Sequence, residues 1–361
     1  MKTFNLMYTG DYLDEHGQVA LGDIALDLLE GVAHVKYGFL LDQKPSSGDP
    51  AYWDRLYSME IQPHHVSQAN GLVIMRPWVK ASAFSGGADN LVVIGRAGAG
   101  YDKIDLDACT ANDVAVFNAP DTLTHATASA ALVFILALAK RLPEQERLAR
   151  AGRWDLQPQV MGDDLPGKTL GIVGFGKTGA ELARLAAPFR MRVLAYSPRA
   201  GSAQATALGV TLVPQLEGLF KESDFVSLHC RLEPHTRSMI GERELRWMKP
   251  TAYLINVARG ELIQPDALVR CLRERWIAGA GLDVFDREPL PIEDPLLGLD
   301  NVILTPHWLP STRQAARATM TLVANGMLRT AQGRVPENVV NPAVLERPGF
   351  RAKLARFAEN Q

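Results

Sequence analysis

Gly174-Phe175-Gly176-Lys177-Thr178-Gly179 has the spacing G-x-G-x-x-G. Its flanks give it meaning: a β-type apolar run starts at Thr169, and a helical run follows over 177–189. Gly174 permits a tight turn, Gly176 lets a pyrophosphate approach the backbone, and Gly179 lets the helix pack close to the strand. The N–H groups of the helix start, with Lys177 and Thr178, then bind phosphates. The next strand ends Ala195-Tyr196-Ser197-Pro198-Arg199. A carboxylate at that end would bind a ribose 2′-OH. Ser197 stands in its place, and Arg199 can grip a 2′-phosphate bidentately. The expected cofactor is therefore NAD(P)(H), with NADPH favoured over NADH.

These residues need sheets to hold them. Short apolar runs at 4–8, 33–41, 71–75, 91–94 and 114–117 read as strands, with a helix expected over 22–29. The Pro-, Ser- and Gly-rich stretch after residue 41 reads as a loop with a short helical turn. A break at Asn118-Ala119-Pro120-Asp121 precedes an apolar helix expected to run to about residue 151. Runs at 169–175, 192–196, 225–228, 253–257, 278–284 and 302–304 predict one six- or seven-stranded doubly wound sheet. A helix over 313–330 and a proline-containing tail follow. Strands alternating with helices predict parallel sheets covered on their faces.

Composition bounds the partners. A chain of 361 residues is long enough for two domains. Its 38 Lys+Arg against 40 Asp+Glu give no basic excess, so no nucleic-acid partner is expected. Cys109, Cys230 and Cys271 are far apart, which fits a reducing cytosol and excludes a thiolate zinc site. His64 and His65 are adjacent with no third ligand evident in the sequence, so no metal is expected. The most apolar stretch, 126–139, falls short of the roughly 18–20 residues of a membrane span. The N-terminus meets acids by Asp11, unlike a signal peptide. A cytoplasmic protein without a membrane partner is expected.

From about Val92 to Pro342 the chain resembles the D-isomer-specific 2-hydroxyacid dehydrogenase family. Ordered motifs carry the resemblance: Arg96-Ala97-Gly98-Ala99-Gly100-Tyr101-Asp102, Phe117-Asn118-Ala119-Pro120, the glycine turn, and Ser227-Leu228-His229. Asn256-Val257-Ala258-Arg259-Gly260, then Gly281-Leu282-Asp283-Val284-Phe285 with Glu288-Pro289-Leu290, and Thr305-Pro306-His307 complete it. The resemblance implies an α/β fold of two doubly wound parallel-sheet domains. A Rossmann cofactor domain (121–309) would be inserted in a flavodoxin-like substrate domain (1–120 and 310–361). A hinge is expected near 118–122 and 309–313, with closure expelling water.

It also implies the chemistry. Reducing a 2-oxo acid needs a cation for the carboxylate and carbonyl, a proton donor for the carbonyl oxygen, and a hydride beside the carbon. Arg259 fits the first role, because a planar guanidinium grips both groups. His307 fits the second, since histidine titrates near neutrality. Glu288 would hold His307 and keep it charged. Asp283 matches the family residue near the nicotinamide carboxamide. His229, Val257 and Ala258 fall on the cofactor side. The N–H groups of Ala99 and Gly100 match the turn that binds the substrate carboxylate. Trp308 and Trp78 are candidate pocket walls, and Arg76 is a candidate for a second anionic group on the substrate.

Some positions depart from the family. Ser129 replaces a usual Glu, Arg190 a usual Gly, and Arg231 a usual Pro near the adenosine. Arg231 is a candidate second contact for a 2′-phosphate. The favoured reading is a reductase of a small 2-oxo acid, such as glyoxylate or hydroxypyruvate, and a homodimer built on the helix near 128–150. Formate dehydrogenases place Gln where Glu288 stands and fit poorly. A phosphite-type dehydrogenase, or a nucleotide-gated co-repressor-like dimer on the same fold, remains the alternative.

Overall fold

The computed structural model describes residues 2–42, 44–46, 48–198 and 201–360. It divides into two compact units, one of residues 1–123 with 311–361 and one of residues 124–310.

The first unit is wound on β1 (Phe4–Thr9), β2 (Val35–Leu40), β3 (Gly71–Ile74), β4 (Val93–Arg96) and β5 (Ala115–Asn118). All pairs are parallel, in the order β2-β1-β3-β4-β5, which is the flavodoxin-like winding. The helix Arg313–Ala331 returns to this sheet. Its Met320, Val323, Ala324 and Met327 share one core with Phe4, Leu6, Val93 and Phe117.

The second unit holds β6 (Thr169–Val173), β7 (Arg192–Tyr196), β8 (Val210–Leu212) and β9 (Phe225–Leu228). It continues with β10 (Tyr253–Asn256), β11 (Gly279–Leu282) and β12 (Val302–Leu304). Seven parallel strands run β12-β11-β10-β9-β6-β7-β8, so the winding reverses between β6 and β9. The central strands β6, β9, β10 and β11 are buried on both faces, which is why they read as continuous apolar runs. Successive side chains feed separate cores: Leu170, Ile172, Phe225 and Ile255 on one face, Val173, Val226 and Leu254 on the other. The Ala-rich helix Thr124–Ala139 covers the first face. It lies so close to β11 that a Cβ at Gly281 would stand 2.6 Å from the Phe134 ring.

Four expectations change. The stretch 22–29 is not a helix but a single 3-10 turn, Leu26–Leu28. Asp23 accepts the Ala25 N–H, and Ala25 is left-handed, so the side chain offers the backbone an alternative to helix. The long apolar helix breaks after Ala139, because Arg141 is left-handed and Pro143 opens a second helix, Leu142–Arg150, bent 60° from the first. Strand β8, three residues at a sheet edge, was too short to register as an apolar run. The tail contains the helix Pro348–Ala355, and its Phe350, Leu354 and Phe357 are core residues of the five-stranded unit. No single helix among the described residues is long and apolar enough to cross a membrane.

Candidate active site

Parallel α/β sheets bind ligands beyond the carboxyl ends of their strands. In the seven-stranded sheet, those ends carry the motif residues. The glycine turn leaves β6 and opens the helix Lys177–Ala186. Gly174 has φ +96°, and a Cβ there would lie 2.5 Å from the Cys230 nitrogen. Only glycine satisfies both conditions. A Cβ at Gly176 would meet nothing within 4 Å, so this side of the turn is open for a phosphate. The helix has no side-chain cap at Gly176, which leaves its start to a ligand anion.

Around this cradle stand the other expected cofactor residues. Ser197 follows β7 and is half-buried; Arg199 lies outside the described residues. Arg231 is exposed on the loop after β9. His229 Nε2 lies 2.8 Å from Ser227 Oγ, and its Nδ1 is sealed from solvent with no partner among the described residues. Burial pushes the His229 imidazole down to about 4, so it is neutral near pH 7.

The expected catalytic residues and Asp283 follow the next three strands, β10, β11 and β12. His307 follows β12 through Thr305-Pro306, and its Nδ1 lies 2.8 Å from Glu288 Oε2. Glu288 also accepts the Phe285 N–H at 3.1 Å. Burial pulls the Glu288 carboxyl upward, but the His307 hydrogen bond and charge, the Phe285 N–H and the Arg259 charge outweigh it and hold it below the ordinary range. Arg259 follows β10. A Cβ at Gly260 would overlap the Phe285 carbonyl carbon, so the Arg259 turn packs directly on the segment that bears Glu288.

Asp283 directly follows β11 and is fully buried. One carboxylate oxygen accepts Thr305 Oγ1 at 2.5 Å and the Trp308 and Leu309 N–H groups at 3.1 Å each. These bonds fasten the loop in which His307 holds a left-handed φ of +52°, a strained conformation for a non-glycine residue. The other oxygen, Oδ2, is buried with no partner among the described residues. A buried acceptor left unpaired costs about 1–3 kcal/mol, so Oδ2 is fitted to a donor brought by a ligand. That atom and the open glycine turn both fit a nicotinamide dinucleotide.

Asn256 is a site residue that sequence reasoning passed over. Its Oδ1 accepts the Ala258 N–H at 3.0 Å and its Nδ2 donates to the Arg259 carbonyl at 2.9 Å. It therefore clamps the turn carrying Val257, Ala258 and Arg259. A buried asparagine at the end of an apolar strand was the available signal.

Arg76, Ala99 and Gly100 belong to the five-stranded unit, and Trp308 to the seven-stranded one. The Arg76 guanidinium lies 3.5 Å from buried Asp11 and 5.3 Å from the centre of the Tyr57 ring. Trp78, in the same unit, is partly exposed beside Lys103. His64 and His65 do have a third neighbour: each Nε2 reaches Asp42, at 2.6 and 2.9 Å. His65 Nδ1 accepts the Gln62 N–H, so its Nε2 carries the proton and donates to Asp42. That is the opposite of the ring orientation a metal ligand takes.

A Rossmann-type sheet, an open glycine turn, and an arginine beside a His–Glu pair define an NAD(P)-dependent dehydrogenase acting on 2-oxo and 2-hydroxy acids. Comparison with known proteins agrees. Residues 132–308 match the D-isomer specific 2-hydroxyacid dehydrogenase NAD binding domain. A glyoxylate reductase of Korarchaeum cryptofilum is 39% identical over 327 residues, 89% of this chain and 96% of that one. A D-3-phosphoglycerate dehydrogenase of Methanocaldococcus jannaschii is 41% identical over 70% of this chain and 48% of its own length. The crystal structure of the TT0316 protein from Thermus thermophilus superposes with a TM-score of 0.77 at 32% identity, covering 93% of this chain and all of that one. The chain belongs to the D-isomer-specific 2-hydroxyacid dehydrogenase family and reduces 2-oxo acids with NAD(P)H.

Proposed function

We propose that the substrate is a small 2-oxo acid, glyoxylate or hydroxypyruvate, reduced to the 2-hydroxy acid with NADPH as the preferred donor. The observation that carries this is the His307–Glu288 pair at 2.8 Å beside Arg259, on the sheet edge that also bears the glycine turn. Arg259 holds the substrate carboxylate and polarises its carbonyl. His307 gives a proton to the carbonyl oxygen, and Glu288 fixes the ring that does so. The bound nicotinamide supplies the hydride. Gly174, Gly176, Lys177, Thr178 and Gly179 cradle the pyrophosphate, and Asp283 Oδ2 accepts the carboxamide. His229, Val257 and Ala258 line the cofactor, and Trp308 lines the substrate pocket. The Ala99 and Gly100 N–H groups receive the substrate carboxylate.

Two features refine the reading. Ser197 presents no carboxylate to repel a 2′-phosphate, with Arg199 and Arg231 as its cations. On the substrate side, Asp11 offsets the charge of Arg76, which favours a substrate with one anionic group over a phosphorylated one. The names of the relatives point the same way, since glyoxylate reductases recur among them. The test is a kinetic matrix of NADH and NADPH against glyoxylate, hydroxypyruvate, its phosphate, and phosphite. Best kcat/KM with NADPH and a non-phosphorylated 2-oxo acid is expected. A clear NADH preference, or turnover of phosphite alone, would sink the reading.

The chain also works as a homodimer on this reading. Val133, Leu142, Trp154 and Met161 are large apolar residues left exposed on, or just after, the helices Thr124–Ala139 and Leu142–Arg150. Large apolar residues left exposed along these helices suit a protein contact. Light scattering at micromolar concentration should give twice the chain mass, and a monomer would refute it.

A further inference from the structure

One more buried asparagine stands outside the roles assigned so far, in the five-stranded unit. Asn118 ends β5 and is 2% exposed. Its register partner is Arg96, the last residue of β4, so the 97–100 turn leaves the neighbouring strand at the same carboxyl edge. Asn118 Nδ2 donates to the Ala99 carbonyl oxygen at 2.6 Å. The main chain doubles the link, with the Ala119 N–H donating to Gly98 O at 3.1 Å. The Ala99–Gly100 peptide is trans, so its C=O and N–H point in opposite directions. Tying the carbonyl to Asn118 therefore aims the Gly100 N–H to the other side. Among the described residues, neither the Ala99 nor the Gly100 N–H has a backbone acceptor.

We propose that Asn118 is a positioning residue for substrate binding: it locks the Ala99–Gly100 peptide so that the Gly100 N–H stays aimed at the substrate carboxylate. This rests on the reading that the turn receives that carboxylate. A hydrogen bond to a charged group contributes alike before and during reaction, so its loss raises KM and leaves kcat in place. Without the lock, the peptide plane rotates and the N–H is misaimed.

The experiment measures glyoxylate and NADPH kinetics for Asn118→Ala, Asn118→Asp and Gly100→Pro, with NADPH titration and thermal melts as controls for folding. Asn118→Ala should raise the glyoxylate KM about 10-fold at unchanged kcat and unchanged NADPH KM. Asn118→Asp keeps the shape but donates only when protonated. Its KM relative to the parent chain should therefore fall as pH is lowered, while the Ala variant stays high. Gly100→Pro removes the N–H itself and should raise KM as well; if it does not fold, Ala99→Pro removes the neighbouring donor. A raised KM in the proline variant with a normal KM in Asn118→Ala overturns the role of Asn118 and leaves the turn reading intact. A normal KM in the proline variant overturns the turn reading. Loss of NADPH affinity in step with glyoxylate KM would make Asn118 merely structural.

Discussion

The two sheets share parallel winding but differ in what stands at their carboxyl edges. The seven-stranded edge collects ionisable groups: Arg259, Asp283, Glu288 and His307. The five-stranded edge presents backbone N–H groups, an asparagine, and an arginine whose charge Asp11 offsets. On our reading, one edge is built to move a proton beside a hydride and the other to hold a carboxylate by its backbone N–H groups. The contrast shows that winding supplies the edge while side chains decide its use. It also shows that burial serves each differently. In the seven-stranded unit it leaves Asp283 Oδ2 without a partner among the described residues, whereas the Nδ2 of buried Asn118 donates to the Ala99 carbonyl and so shapes a turn.

The strongest test of the contrast removes the proton donor. His307→Ala should lower kcat about 10²–10⁴-fold, the usual contribution of general acid catalysis, while NADPH binding measured by fluorescence stays near that of the parent chain. Near-normal turnover would move the chemistry away from the seven-stranded edge. A second test loads the other unit. Phe357 is fully buried with its ring 5.1 Å from that of Phe4. Phe357→Ala should cost about 3–5 kcal/mol in urea unfolding of the five-stranded unit, with NADPH affinity retained at low urea. Equal loss of cofactor binding would mean that the two units do not divide the work as described.

These residues also show what a sequence can and cannot display. The glycine turn, Arg259, Glu288 and His307 were legible because each sits in a short motif whose spacing is local. Strand identity was legible for the same reason, as doubly buried strands are unbroken apolar runs. The tail was not. Phe350, Leu354 and Phe357 are separated by charged residues and follow prolines, and only their distant partners on the sheet make them core. Nor were Asn256 and Asn118 legible as clamps, since an asparagine's role depends on which carbonyl it reaches. Asp42 between His64 and His65 is a third case, brought in across more than 20 residues of chain.

A smaller effect sharpens the cofactor end of the seven-stranded edge. Ser197→Asp would place a carboxylate where a 2′-phosphate is proposed to lie. It should shift the NADPH/NADH ratio of kcat/KM about 10-fold toward NADH, since a repelled phosphate and a new ribose partner act in the same direction. An unchanged ratio would leave the preference to groups other than Ser197.

The smallest effect concerns the neutral histidine beside the glycine turn. His229 is held at about 4 in the folded chain, against an ordinary 6.5. A depressed value means that the unfolded chain takes the proton first. The stability this group contributes is therefore complete above about pH 6.5 and is lost as pH falls toward and through 4. Glu288 is also held low, but its contribution is lost only below the ordinary carboxylate range, so the two windows separate. Urea midpoints measured from pH 7 to 4.5 should fall less steeply in His229→Gln than in the parent chain, and Glu288→Gln should leave the slope between pH 6.5 and 5 unchanged. Parallel curves for His229→Gln and the parent chain would show that the imidazole accepts its proton without penalty. In that case burial at the cofactor end would not be selecting the neutral ring.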